Sequence, residues 1–228
     1  MGLKTLKQMR IDTAQAFFRL LACSIIAAVS ATALIAQTRD PKKVPPGQTA
    51  AVAAALRTSY GSAVEAVAAF KPYYVIGDFN GDRAEDIVVA VRLKGQRSDL
   101  PADVKIYNPF ERPKAVWPAD PVANPTLALA IIHGGKAGWQ TAPPLEKYLM
   151  FGQSPVLILN YGRVTSGDQN AVKTLIELLQ KGSKRLKDLG WPPAAAKGDS
   201  IILGTEATDS ILYWNGKNYR WEEAAGGE

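Results

Sequence analysis

After Pro72 the chain is written in short runs of Val, Ile, Leu and Tyr cut by Gly, Pro, Asn and Asp, and that punctuation confines it to a sheet-based fold. Tyr73 to Ile76, Asp86 to Leu93, Leu127 to Ile132, Tyr148 to Phe151, Val156 to Tyr161 and Ser200 to Leu203 each have the length and content of a strand. Between the second and third runs lies a connection, residues 95–125, carrying Pro101, Pro109, Pro113, Pro118, Pro121 and Pro125, with room for a short strand at Val104 to Tyr107. So long a connection inside a compact domain is uncommon and often functional. Near the end, Asn215-Gly216 is a two-residue hairpin turn that sets Leu212 opposite Tyr219 and Trp214 opposite Lys217. Trp221 falls on the same face, and these aromatics read as core.

Two stretches carry a helical period instead. Val52, Leu56, Tyr60, Val64 and Val67 recur at three- and four-residue spacing from about Thr49, with Gly61-Ser62 as a point of division. Asp168 is placed to cap a second helix whose face is Val172, Leu175, Ile176 and Leu179, with Gly182 as its stop. The expected class is α+β: a mixed or mostly antiparallel sheet flanked by two or three helices and closed by a C-terminal β-hairpin. No internal repeat is present, so a propeller built from copies of one unit is not expected.

Lys4, Lys7, Arg10 and Arg19 precede an uncharged stretch, Leu20 to Gln37, with a small-residue Ala31-Thr32-Ala33 site. Residues 1–37 therefore read as a signal peptide or a signal anchor, the second spanning the membrane through residues 20–37. Either places the rest of the chain in the periplasm, outside the cell, or on the outer side of the cytoplasmic membrane. Cys23 precedes most of the apolar core, unlike the acylated Cys of a lipoprotein, and reads as one more small apolar residue. Residues 38–48 carry three prolines and read as a tether, which leaves 49–228 as one domain.

The 27 basic and 21 acidic residues give a net charge of +6, but four of the basic ones and Asp12 belong to the first 37 residues. The one dense basic run that remains, Lys181, Lys184, Arg185 and Lys187, reads as a solvated helix end, so no nucleic-acid partner is expected. A single Cys excludes an internal disulfide, and a single His excludes a metal site built on two imidazoles.

The segment from Gly77 to Val89 carries the most chemistry. Asp78, Asn80, Asp82 and Asp86 stand at positions 1, 3, 5 and 9 of a loop, and the carbonyl of Ala84 at position 7 adds a fifth oxygen. Oxygens at alternate positions of a tight turn converge on one point, and hard cations such as Ca2+ take six to eight of them. Position 12 is Val89, inside a strand run, so the loop is not an EF-hand. The same residues also suit an Asx-rich turn held by its own side-chain to backbone hydrogen bonds.

From Tyr74 to Leu93 the pattern resembles the FG-GAP repeat of integrin-type propellers, in which such a loop leads directly into a strand. The resemblance implies calcium binding by Asp78, Asn80, Asp82 and Asp86 in a structural role. Arg83 stands at position 6, where the family carries Gly; a left-handed conformation there costs a non-Gly residue on the order of 1 kcal/mol. The ending Leu212 to Trp221 is similar to those of exported bacterial proteins with such a loop.

Catalytic constellations are hard to assemble from these residues. Ile132-His133-Gly134-Gly135 has the look of an oxyanion loop, but no G-x-S-x-G follows and His133 cannot also serve a triad. Asp168, Glu206 and Asp209 are candidates for a carboxylate pair, although nothing in their spacing selects them. The expected function is an extracytoplasmic calcium-binding module for binding or assembly, working with a protein partner, as an accessory subunit of an envelope or membrane complex. The alternative is a periplasmic hydrolase using a loop-bound cation or a carboxylate pair.

Overall fold

Both faces of the strand Asp86–Leu93 are buried, and the architecture is layered around it. The computed structural model describes residues 46–108, 117–120, 126–140, 144–151, 176–184, 186, 195–204 and 209–223. All of these lie in the compact unit Lys42–Glu228. The expected signal or anchor, with Cys23, and the tether as far as residue 45 fall outside the described residues, as does the strand expected at Val156 to Tyr161.

One α-helix, α1 (Pro46–Tyr60), is present among the described residues, with ten strands. The strands are β1 (Val64–Ala66), β2 (Tyr74–Gly77), β3 (Asp86–Leu93), β4 (Val104–Tyr107), β5 (Leu127–His133), β6 (Glu146–Met150), β7 (Glu177–Leu179), β8 (Ser200–Gly204), β9 (Asp209–Trp214) and β10 (Tyr219–Glu223). Six of them form a mixed sheet in the order β1-β3-β5-β6-β4, with β2 also on β3; β7 to β10 form a second, antiparallel sheet. The described residues are thus β-rich, with α1 as the one bounded α-helix among them where two or three flanking helices were expected.

Alternation along β3 and β5 assigns the layers. Ile87, Val89, Val91, Ala128, Ala130 and Ile132 pack with Val52, Leu56 and Tyr60 of α1. Val88, Ala90, Leu129 and Ile131 point the other way and meet Ile201, Leu203, Leu212, Trp214 and Tyr219 of the second sheet. A strand covered on both faces has no reason to alternate polar with apolar, which is why Ile87 to Val91 reads as an unbroken apolar run. Tyr60 pins the helix, with its hydroxyl 2.8 Å from the carbonyls of both Ile131 and Tyr148.

Four expectations need correction. The first helix starts at Pro46, before Thr49, a position where a missing N–H is harmless, and it takes in the end of the expected tether. It stops at Tyr60, and the Gly61 N–H closes the last turn on the Arg57 carbonyl at 3.0 Å. Val64 and Val67 are not on its face: Val64 pairs with Leu93, and the Val67 N–H donates to the Ala90 carbonyl. Then the chain loops out, buries Phe70, and rejoins the same edge of β3 where Tyr73 accepts from the Ala90 N–H.

The second helix gives way at its described end to β7, because Glu177, Leu178 and Leu179 pair with Ile202, Ile201 and Ser200. Residues 168–175 lie outside the described residues. In the C-terminal hairpin Trp214 pairs with Tyr219 and Leu212 with Trp221, two residues from the expected register. The cause is Asn215, whose Oδ1 accepts the N–H groups of both Lys217 and Asn218 and widens the turn to four residues. A shift of two keeps every side chain on its face, so Leu212, Trp214 and Tyr219 are core as expected.

Candidate functional site

The acidic loop joins β2 to β3 and is closed by its own side chains. Asp78 Oδ1 accepts the Gly81 N–H at 2.8 Å, and its Oδ2 accepts the Arg83 N–H at 3.0 Å. Asn80 Oδ1 takes the Asp82 N–H at 2.9 Å and Asp82 Oδ1 takes the Ala84 N–H at 2.8 Å, while the Asn80 amide donates to Asp82 Oδ2 at 2.9 Å. Arg83 has φ 71°, so position 6 takes the left-handed conformation despite carrying a side chain. The bond from its N–H to Asp78 holds it there.

Asp86 stands apart from the other three. It is fully buried, and Oδ2 accepts the N–H groups of Phe79 and Asn80 while Oδ1 accepts that of Gly134 at 2.8 Å. Burial pushes its carboxyl up to about 7 against the pull of those three donors. Asp86 therefore ties the loop to the end of β5.

The second sheet is tied to the same loop. The Asp199 N–H donates to the Asp78 carbonyl at 2.7 Å, and Asp199 Oδ2 accepts the Asp78 N–H at 3.1 Å. Asp199 Oδ1 takes the Lys181 N–H at 2.8 Å, which fixes the turn after β7. Gly198 allows this approach: a Cβ there would stand 2.1 Å from the Asp78 carbonyl oxygen and 2.7 Å from the Gly81 nitrogen. The loop is thus the knot at which β3, β5 and the entry to β8 meet.

Between the sheets, at the same end, lies a cluster that sequence reasoning missed. His133, 1% exposed, places Nε2 2.7 Å from the Tyr219 hydroxyl and Nδ1 3.8 Å from Glu146 Oε2. Glu146 also accepts the Tyr148 hydroxyl at 2.5 Å and pairs with Lys105. The rings of His133, Tyr148, Trp214 and Tyr219 lie 5.1 to 5.8 Å from one another. Burial depresses His133 to about 4, so it stays neutral, and the arrangement suits Nδ1–H facing Glu146 with the Tyr219 O–H donating to Nε2. Burial works to raise Glu146, but its bonds from Lys105 and Tyr148 outweigh that and hold it below the ordinary range. The cluster draws on five separate strands, β4, β5, β6, β9 and β10; the available signal was parity, since His133 pairs with Glu146 across β5 and β6.

Asp78, Asn80 and Asp82 are therefore gathered on one turn, with Ala84 in the same ladder of bonds and Asp86 buried behind it. Each carboxylate oxygen has two acceptor sites, so an N–H bond and a cation contact are compatible. No three His, Cys, Asp or Glu side chains among the described residues are grouped to hold a metal by themselves. Of the proposed carboxylate pair, Asp168 and Glu206 lie outside the described residues, and Asp209 begins β9. No helix among the described residues is long and apolar enough to cross a membrane. The chain matches no protein-family model, no curated protein and no solved structure.

Proposed function

We propose that this chain is an extracytoplasmic module for binding or assembly, an accessory part of an envelope or membrane complex, whose FG-GAP-like loop takes a structural calcium ion. The observation that carries the reading is the seat of the loop. Asp78 is bonded to Asp199 and Asp86 to Gly134, so an ion held by this turn acts on the junction of both sheets. Asp78, Asn80 and Asp82 would supply side-chain oxygens and Ala84 a carbonyl. Asp86 completes the pattern from within.

Thermal unfolding with and without millimolar calcium tests the ion, with Asp82→Ala as the control. A ligand bound only by the folded state adds about 2.7 kcal/mol at a hundredfold excess over its dissociation constant. The midpoint is expected to rise in the wild type and not in the variant; equal midpoints with and without calcium would sink the calcium part. Cross-linking on intact cells followed by membrane solubilisation tests the assembly part, which fails if the chain is recovered only as a free species.

A further inference from the structure

We infer that Asn215 is a site of self-catalysed deamidation, whereas Asn80, the other Asn followed by Gly in the described chain, is protected. The inference at Asn215 is independent of calcium and of any partner. Both residues precede glycine, whose missing Cβ leaves its amide nitrogen free to approach the preceding side chain, so the local sequence alone makes them equivalent.

Their surroundings are not equivalent. At Asn80 every participant is engaged: Oδ1 accepts from Asp82, Nδ2 donates to Asp82 Oδ2, and the Gly81 N–H donates to Asp78 Oδ1. The nucleophile is tied and the leaving amide is held by a carboxylate. At Asn215, Oδ1 accepts two backbone N–H groups, from Lys217 and Asn218, each at 2.9 Å. Two donors on one carbonyl oxygen polarise Cγ and stabilise the oxyanion that forms when Cγ is attacked. Among the described residues no acceptor takes the Gly216 N–H and none holds Asn215 Nδ2. Gly216 is exposed to water, has φ 95°, and lies against Lys197, whose Cε would be 3.2 Å from a Cβ at Gly216. A cationic side chain thus flanks the residue whose nitrogen must lose its proton.

The reaction needs only water and hydroxide. Hydroxide takes the Gly216 amide proton, the nitrogen forms a bond to Asn215 Cγ, and the Cγ–Nδ2 bond breaks as ammonia leaves with a proton from water. Water then opens the five-membered succinimide. Breaking the new N–Cγ bond gives aspartate; breaking the bond between the nitrogen and the main-chain carbonyl carbon of residue 215 gives isoaspartate. One water is consumed and one ammonia released. The isoaspartate product lengthens the main chain by a carbon in the turn that carries Trp214 into the ring cluster.

Peptide mass mapping of the full chain, incubated in mildly alkaline buffer, tests this. Trypsin separates the sites, since residues 198–217 contain Asn215 as their one Asn and residues 58–83 contain Asn80. In folded protein the first peptide should gain a single mass unit and ammonia should appear, on the order of tenfold faster than any change in the second. In concentrated urea the two should convert at similar rates. Conversion of both peptides at equal rates in folded protein overturns the inference, and so does slower conversion of residues 198–217 in folded protein than in urea.

Discussion

Asp86 and His133 are both buried titratable groups, and they pull the stability of the molecule in opposite directions as pH changes. Asp86 is raised from 3.8 to about 7, so between those values the folded state holds a proton that the unfolded state has released, and stability falls as pH rises. His133 is lowered from 6.5 to about 4, so there the unfolded state holds the extra proton, and stability falls as pH drops. The two slopes, each up to about 1.4 kcal/mol per pH unit, largely cancel in the wild type. Urea midpoints measured in calcium-free buffer across that range are expected to be nearly flat. Asp86→Asn should unmask a curve that climbs with pH, and His133→Asn one that declines. Asp86→Asn should cost most at the acid end of that range, roughly 1 to 3 kcal/mol, because its amide turns a donor toward the N–H groups that Asp86 accepts, and the deficit should shrink as pH rises.

At the scale of elements, approach distances decide what can be changed. Gly198→Ala puts a Cβ against backbone atoms of the acidic loop, which cannot swing away as a side-chain end would. A loss of about 3 kcal/mol is expected in denaturant melts, and a loss under 1 kcal/mol would show that the loop and the entry to β8 are less tightly joined than described. Tyr60→Phe removes the hydroxyl that links α1 to the carbonyls of β5 and β6, and should cost about 1 to 3 kcal/mol by the same measurement. The strands were legible where composition alone decides: Asp86–Leu93 and Val104–Tyr107 have the bounds that their sequence implies. The stretch Glu177–Leu179 was misread because Ile176 and Leu179 continue a helical period from Val172 and Leu175, and its strand state depends on β8, some twenty residues on. The hairpin turn was misread for a smaller reason, the reach of one Asn side chain.

For the whole molecule, the three layers are not equally secured. β3 and β5 are covered on both faces, so their amides should exchange slowest with solvent. The second sheet shares the core but is clamped at its β8 entry by Asp199. Asp199→Ala is expected to speed exchange in β7 and β8 while leaving β3 and β5 protected; uniform acceleration across both sheets would mean that they open as one unit.

The loop was readable from the chain by itself because Asp78, Asn80, Asp82 and Arg83 satisfy one another within six residues, and local hydrogen bonds need no tertiary partner. The strands Asp86–Leu93 and Val104–Tyr107 were readable for the same reason, since the apolar content of a short run is local. Only the tertiary structure decided that Asp86 is a buried tie to Gly134, that Asp199 joins the second sheet to the loop, and that His133 ends against Tyr219. Each of these contacts spans from about fifty to more than a hundred residues, or depends on which sheet covers which face, and such pairings are selected by packing and by the demand that buried polar groups be satisfied.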